Sequence, residues 1–474
     1  MKKNKMTNRL LAALLGLTLM FTGCGGASVD PGPQTAESTN QAAANTKPAE
    51  SEAQTEAAKP TETAVPTEAP TEQESSTVPL PTGESKVLMN GEIPSGNRGE
   101  AGSTAGFSDG LMSPEAALAF LTGDNRNHVY SPLNVTMALA MLAEITEGET
   151  RAEILKLMGA DTIEALRKKV EVILKTAYYD TEGGTSLIAD SIWLRNDYQG
   201  YNMETLRTLA NQYAASSFEG TMGSDEYNKM LQTWLDENTK GLLTEQAKGI
   251  TLDPLTIIAL ASALYYKVNW SDPFYEEATK DKTFHSPSGD VKVPFMRQST
   301  HGYYRGEHFG AIRLYMTDGN YFWLFLPDEG YTLEDVAGSE DYLAIIRGER
   351  EDEAENVQVN FEFPKLDVLG DMDLVDTLKS LGLHKVFNAD ESDFSPLYEK
   401  EEMPTWVSEI HHSARVTADE KGVEAAAFTV IMVEASGFFM GDPIEFICDR
   451  PFIFTIANPD GLVWFAGSVN QPGN

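Results

Sequence analysis

Few residues in this chain are patterned for catalysis. There is no G-x-S-x-G nucleophile elbow, no H-E-x-x-H zinc motif, no P-loop and no dinucleotide fingerprint. His411 and His412 are adjacent, and neighbours on a strand point to opposite faces. Without a nearby Cys or a paired His spacing they predict no metal site. No cofactor is implied, and the chain is not expected to be an enzyme. The chemistry points instead to a stretch that would be acted upon, Asp419 to Phe454. A hinge opens at Glu420 and Gly422, where glycine frees the backbone to turn, and runs through Ala425, Ala426, Ala427, Phe428 and Thr429. At period two, Val423, Ala425, Ala427 and Thr429 share one face. That face is small and nearly uncharged, as a strand sliding into a sheet requires. Glu424, Ala426 and Phe428 fall on the other face, which need not enter a core. Val430 to Gly441 then leads to Pro443 and a strand pattern. The stretch reads as an exposed bait loop whose peptide bond is offered to an attacking nucleophile.

The elements that must carry this loop are legible upstream. Ser113-Pro114-Glu115 and Ser131-Pro132-Leu133-Asn134 each begin a helix with an N-cap followed by proline. The second helix, through Met137, Leu139, Met141 and Leu142, has few polar positions and is expected to be central. Thr256 to Tyr266 is an almost continuous apolar run closed by Trp270, expected to be a strand buried on both faces. Strand patterns continue through the C-terminal pair around Asn458-Pro459-Asp460-Gly461, which reads as a hairpin. Helices early and strands late predict an α+β fold with large, mostly antiparallel sheets.

The chain has 474 residues, a net charge of -36 and two cysteines, Cys24 and Cys448. The charge argues against a nucleic-acid partner, and one Cys in a terminal segment with one in an apolar strand leaves no disulfide framework. Lys2, Lys3, Lys5 and Arg9 precede an apolar run from Leu10 to Phe21, then Thr22-Gly23-Cys24-Gly25. This resembles a bacterial lipoprotein signal, residues 1–24, with Cys24 lipidated and Phe21 standing where Leu is usual. A lipid bilayer is thus an expected partner, and the expected location is extracytoplasmic, on a cell surface. Residues 25–106 are rich in Thr, Glu, Ala, Pro and Ser. They read as a disordered tether with a reach of about 50 Å, ahead of a folded domain over 107–474.

Blocks along that domain resemble the serpin family, in the serpin order. They are HVYSPLNVTMALAML with GETRAEIL, LIADSIWL, WLDENTKGLLT, LASALYYKVNW, MDLVDTLKSLGLHKVF with SDFSPL, EIHHSARVTADEKGVEAAAFT, and DRPFIFTIANPDGLVWFAGSVNQP. The resemblance covers about Ser113 to Pro472.

It implies a monomeric inhibitor consumed as it acts. A serine protease cleaves the loop and forms an acyl-enzyme. The hinge side then inserts as a new strand of the central sheet, distorting the bound protease. Val423 stands where the family has Thr or Ser, and Phe428 where it has a small residue. Counting as the family counts puts the reactive bond at Ser436–Gly437, with Ala435, Phe438, Phe439 and Met440 as rivals. No Lys or Arg occurs between Gly422 and Arg450, so trypsin-like targets are not expected. Elastase-, subtilisin- or chymotrypsin-like enzymes are, and a papain-like cysteine protease is a further class able to attack. The family's polar cluster beneath the sheet maps onto Ser131, Asn134, Ser262 and His412, with Ser and Asn exchanged between two positions. Trp270 maps to where the hinge first enters. The competing expectation is a non-inhibitory binding or structural module of the same fold.

Overall fold

The computed structural model describes residues 84–93, 101–198, 200–400, 404–408, 410–423 and 442–472. All lie within one compact unit, Ser76–Asn474.

Two large sheets dominate. The first runs in the order β1 (Lys86–Met89), β5 (Ala215–Gly220), β4 (Gly184–Arg195), β6 (Ile258–Asn269), β14 (Gly422–Val423), β13 (His411–Ala418) and β12 (Leu366–Asp373), with β3 (Tyr179–Thr181) paired to β4. The second runs β15 (Ile444–Ile447), β11 (Glu355–Pro364), β8 (Gly289–Arg305), β9 (Phe309–Tyr315), β10 (Tyr321–Pro327), β16 (Phe452–Ala457), β17 (Val463–Val469) and β2 (His128–Tyr130), with β7 (Lys280–Ser286) paired to β8. Most pairs are antiparallel, β4 with β5 and β11 with β15 being parallel. The helices are α1 (Asp109–Met112), α2 (Pro114–Leu121), α3 (Pro132–Glu144), α4 (Gly148–Leu157), α5 (Ile163–Ala177), α6 (Met203–Gln212), α7 (Asp225–Asn238), α8 (Thr244–Gly249), α9 (Leu333–Ala337), α10 (Glu340–Ile346) and α11 (Val375–Ser380).

The capped apolar helix is the centre of the molecule. Ser131 accepts from the Asn134 N–H, Pro132 sits in the first turn, and Leu133, Met137 and Met141 are fully buried. α3 packs against β6 on one side and β17 on the other, and each such buried side chain contributes about 2 kcal/mol. The first sheet is held to this core from its inner face, where Trp464 on β17 donates its indole N–H to Ser186 Oγ of β4 at 3.0 Å. Its outer face carries a second, smaller cluster in which Trp193 stacks on Phe218 and meets Tyr227 and Trp234 of α7.

Two expectations need correction. Order begins before residue 107. Lys86–Met89 forms an edge strand on β5, Lys86 pairs with Glu219 at 2.8 Å, and the Gly91 N–H reaches Ser216 Oγ at 3.0 Å. Val87-Leu88-Met89 is an apolar run after a stretch of Thr, Glu and Pro, and Leu88 and Met89 pack against the core where the preceding residues have little to bury. β6 is also not uniformly enclosed. Ala263–Tyr266 are buried, whereas Ile258–Ser262 are only half-buried, because those first residues line a cavity.

Candidate strand-insertion site

β14 is two residues long and lies between β6 and β13. Gly422 pairs with Asn269, and Val423 with Val268 on one side and Ala418 on the other. A glycine is required at the first rung: a Cβ on Gly422 would stand 2.3 Å from the Val268 carbonyl oxygen and 2.6 Å from Asn269 Cα. Among the described residues, β6 below Val268 pairs only with β4, and β13 below Ala418 only with β12. A cavity of about 860 Å³ follows this seam, walled by the lower halves of β6 and β13, floored by Asn134 and Leu139 of α3, and reaching Leu242 and, on α8, Ala247.

The top of the seam is tied tightly. The Trp270 N–H donates to the Lys421 carbonyl at 3.0 Å, and its indole N–H to the Asp419 carbonyl at 2.7 Å. The ring is 1 % exposed and packs edge-on against Phe274, Phe322 and Phe363. Glu420 accepts from Lys365 Nζ at 2.7 Å and Thr279 Oγ1 at 2.8 Å. Burial opposes ionisation of Glu420, but the bonds from Lys365 and Thr279 outweigh it and hold the carboxyl below its usual range. Asp419 Oδ1 closes the turn by accepting from the Lys421 N–H at 2.8 Å.

Beneath the seam the four residues expected to cluster are in one hydrogen-bonded chain. The Ser131 N–H donates to His412 Nε2 at 3.0 Å, and Ser131 Oγ donates to the Trp464 carbonyl at 2.6 Å. Asn134 Nδ2 donates to the Ser262 carbonyl at 3.4 Å, and Ser262 Oγ donates back to Asn134 Oδ1 at 3.3 Å. The N-terminus of α3 therefore spans the seam from β13 to β6, and the exchanged Ser and Asn make reciprocal bonds. Burial presses the His412 imidazole down to about 4, with Asp371 acting weakly the other way. Its ring is neutral at neutral pH, as an acceptor from Ser131 must be.

The sequence reading passed over two participants. Lys365, on the turn between β11 and β12, is the ion partner of Glu420. Asp190 on β4 is the cross-strand neighbour of Ser262 and shares the inward face with Ile188 and Ile192, both buried in the main core. Burial pushes its carboxyl up to about 7, with Ser262 opposing. The only available signal for Asp190 was an acid two residues from each of the apolar Ile188 and Ile192, on the same face of the strand. Nothing local marked Lys365. The remaining hinge positions, Glu424 to Thr429, the reactive-bond candidates Ala435 to Met440, and Cys24 lie outside the described residues.

The model of the serpin family, described as serine protease inhibitor, matches residues 118–472. This chain belongs to the serpin family. Serpin-ZX of Arabidopsis thaliana is 28 % identical over 367 residues, covering 73 % of this chain and 93 % of its own. Plasminogen activator inhibitor 1 of Sus scrofa is 27 % identical over 373 residues, covering 73 % and 87 %. Among solved structures, the thermophilic serpin tengpin in its native state superposes with a TM-score of 0.70 at 23 % identity, over 82 % of this chain and all of tengpin. Arabidopsis AtSerpin1 in its native stressed conformation gives 0.65 at 24 %, over 80 % of this chain and 100 % of its own. These likenesses establish the α+β serpin fold.

Proposed function

We propose that this serpin is a suicide-substrate inhibitor of extracellular serine proteases, held at a cell surface through a lipidated Cys24. The protease class expected is elastase-, subtilisin- or chymotrypsin-like. Attack at Ser436–Gly437, or at a neighbouring bond, would give an acyl-enzyme and free the hinge. The observation that carries the reading is the two-rung β14 at the head of a seam along which, among the described residues, the facing edges of β6 and β13 have no strand between them. Unpaired strand edges are templates for a further strand. Extending the register would set Ala425 between Tyr266 and Val416, Ala427 between Leu264 and Ala414, and Thr429 between Ser262 and His412, all on the buried face. Phe428, the residue that most favours a non-inhibitory module, would face outward between Ala263 and Ser413, two of the smallest side chains on the seam. Its bulk is therefore compatible with insertion. In this reading the chain is a substrate and trap rather than a catalyst.

The test is to mix the chain with pancreatic elastase, chymotrypsin and subtilisin at several molar ratios. A complex that survives boiling in detergent, with a released peptide whose first residue names the scissile bond, is the expected result. Complete loop cleavage by all three with no complex would favour the non-inhibitory module.

A further inference from the structure

One hydroxyl hydrogen in the cluster beneath the seam has two acceptors in reach of its residue's place in the ladder, Asn134 of α3 and Asp190 of β4. Ser262 has one hydroxyl hydrogen, and it is donated to Asn134 Oδ1. Asp190, directly opposite Ser262 in the β4–β6 ladder, is 2 % exposed, and neither of its carboxyl oxygens has a formed hydrogen bond. We propose that Asp190 is a protonation switch for the opening of the central sheet, acting by competing with Asn134 for the Ser262 hydroxyl. As the neutral acid, Asp190 donates its own proton to Ser262 Oγ, leaving the Ser262 hydrogen on Asn134 and α3 clasped to β6. As the carboxylate it needs a donor, and Ser262 stands directly across the ladder. The hydroxyl turns to Asp190, Asn134 Oδ1 loses its partner, and on the β6 side the clasp is reduced to the long 3.4 Å bond from Asn134 Nδ2 to the Ser262 carbonyl. An ionised carboxylate in these surroundings also favours any opening that admits water.

The charged and titratable groups on the packed elements are engaged elsewhere. Glu219 on β5 pairs with Lys86 at 2.8 Å, and Glu144 on α3 with Arg167 at 2.5 Å and Tyr213 at 2.8 Å. Lys169 on α5 donates to the Met158 carbonyl at 2.8 Å, and Tyr266 on β6 and Tyr179 on β3 both donate to Asp318. His412 on β13 is occupied as the Ser131 acceptor. None supplies Asp190 with a counter-charge, so burial leaves its proton to be exchanged near neutral pH, where the histidine of the cluster does not titrate. The switch residue under this seam is therefore the acid.

The consequence for insertion rests on the strand-insertion reading above, whereas the titration does not, and the experiment separates them. The full chain and its Asp190→Asn variant are given a synthetic peptide of residues 422–436, and the rate of uptake is followed from pH 5.5 to 8.5. The expected result is a rise of about tenfold with pH in the unmodified chain, the equivalent of one pKa unit of differential stabilisation, and a flat profile in Asp190→Asn. Equal pH profiles in the two would overturn the proposal. Should neither take up peptide at any pH, the insertion reading fails. The switch is then judged by the infrared band of a protonated carboxylic acid. A band present at pH 5.5, lost with a midpoint near neutrality and absent from Asp190→Asn, upholds the titration, and its absence at pH 5.5 refutes it.

Discussion

Replacing Asp190 with Asn should change both the stability at neutral pH and its dependence on pH. In the fold the Asp190 carboxyl is raised from 3.8 to about 7, a difference corresponding to about 4 kcal/mol. The sign follows from proton binding. Between these values the folded chain holds a proton that the unfolded chain has released, so this contribution is fully present below pH 3.8 and is lost as pH rises through about 7. His412 works in the opposite sense. Its imidazole is lowered from 6.5 to about 4, so its contribution of about 3 kcal/mol is present above the first value and lost as pH falls toward the second. Over their shared range the two slopes nearly cancel in the unmodified chain. Asp190→Asn removes one of them and leaves the other exposed. Urea unfolding of both chains from about pH 4.5 to 8.5 is the assay, and the difference between them is the quantity to read, since acid-labile carboxylates common to both drop out. The variant's advantage over the unmodified chain should grow by about 3 kcal/mol between about pH 4.5 and pH 8. A difference that stays constant with pH, or that grows toward acid, would refute the claim that Asp190 is held neutral by burial.

Other consequences are as specific. Glu420→Gln removes the ionic partner of Lys365 while keeping the shape, and should cost about 1–3 kcal/mol, read as a lower urea midpoint. Asn134→Ala and Ser262→Ala, singly and together, should show a coupling of about 1 kcal/mol in a double-mutant cycle, and strict additivity would mean that the 3.3 and 3.4 Å contacts carry no energy. Ala427→Arg would bring a charge between Leu264 and Ala414, at a cost of several kcal/mol on insertion. That variant should be cleaved by the target protease without forming a stable complex, on a chain as stable as the parent before cleavage.

The sequence made the carrier elements readable because local rules and burial agree there. Ser131 and Pro132 cap a helix with few polar positions, and such a helix has only the middle of a domain to occupy. Ser262 and Asn134 could be paired in advance because exchanging the two side chains conserves donors and acceptors. What was hidden depends on contacts distant in sequence. Lys365 meets Glu420 only because β12 and β13 lie side by side. Asp190 looks like a surface acid until the β4–β6 register sets it opposite Ser262 on the core face. Lys86–Met89 was assigned to the tether because four residues carry too weak a pattern to read alone, and it is ordered by the free edge of β5.

The most direct test of strand insertion needs no knowledge of the physiological protease. The loop between Val423 and Asp442 is cut with any enzyme that accepts it, the product is checked by mass, and the thermal midpoints of cut and intact chains are compared. If the seam between β6 and β13 takes up the freed hinge, cleavage adds two edges of backbone hydrogen bonds and the midpoint rises well above that of the intact chain. A cleaved chain that melts at or below the intact one would contradict the account.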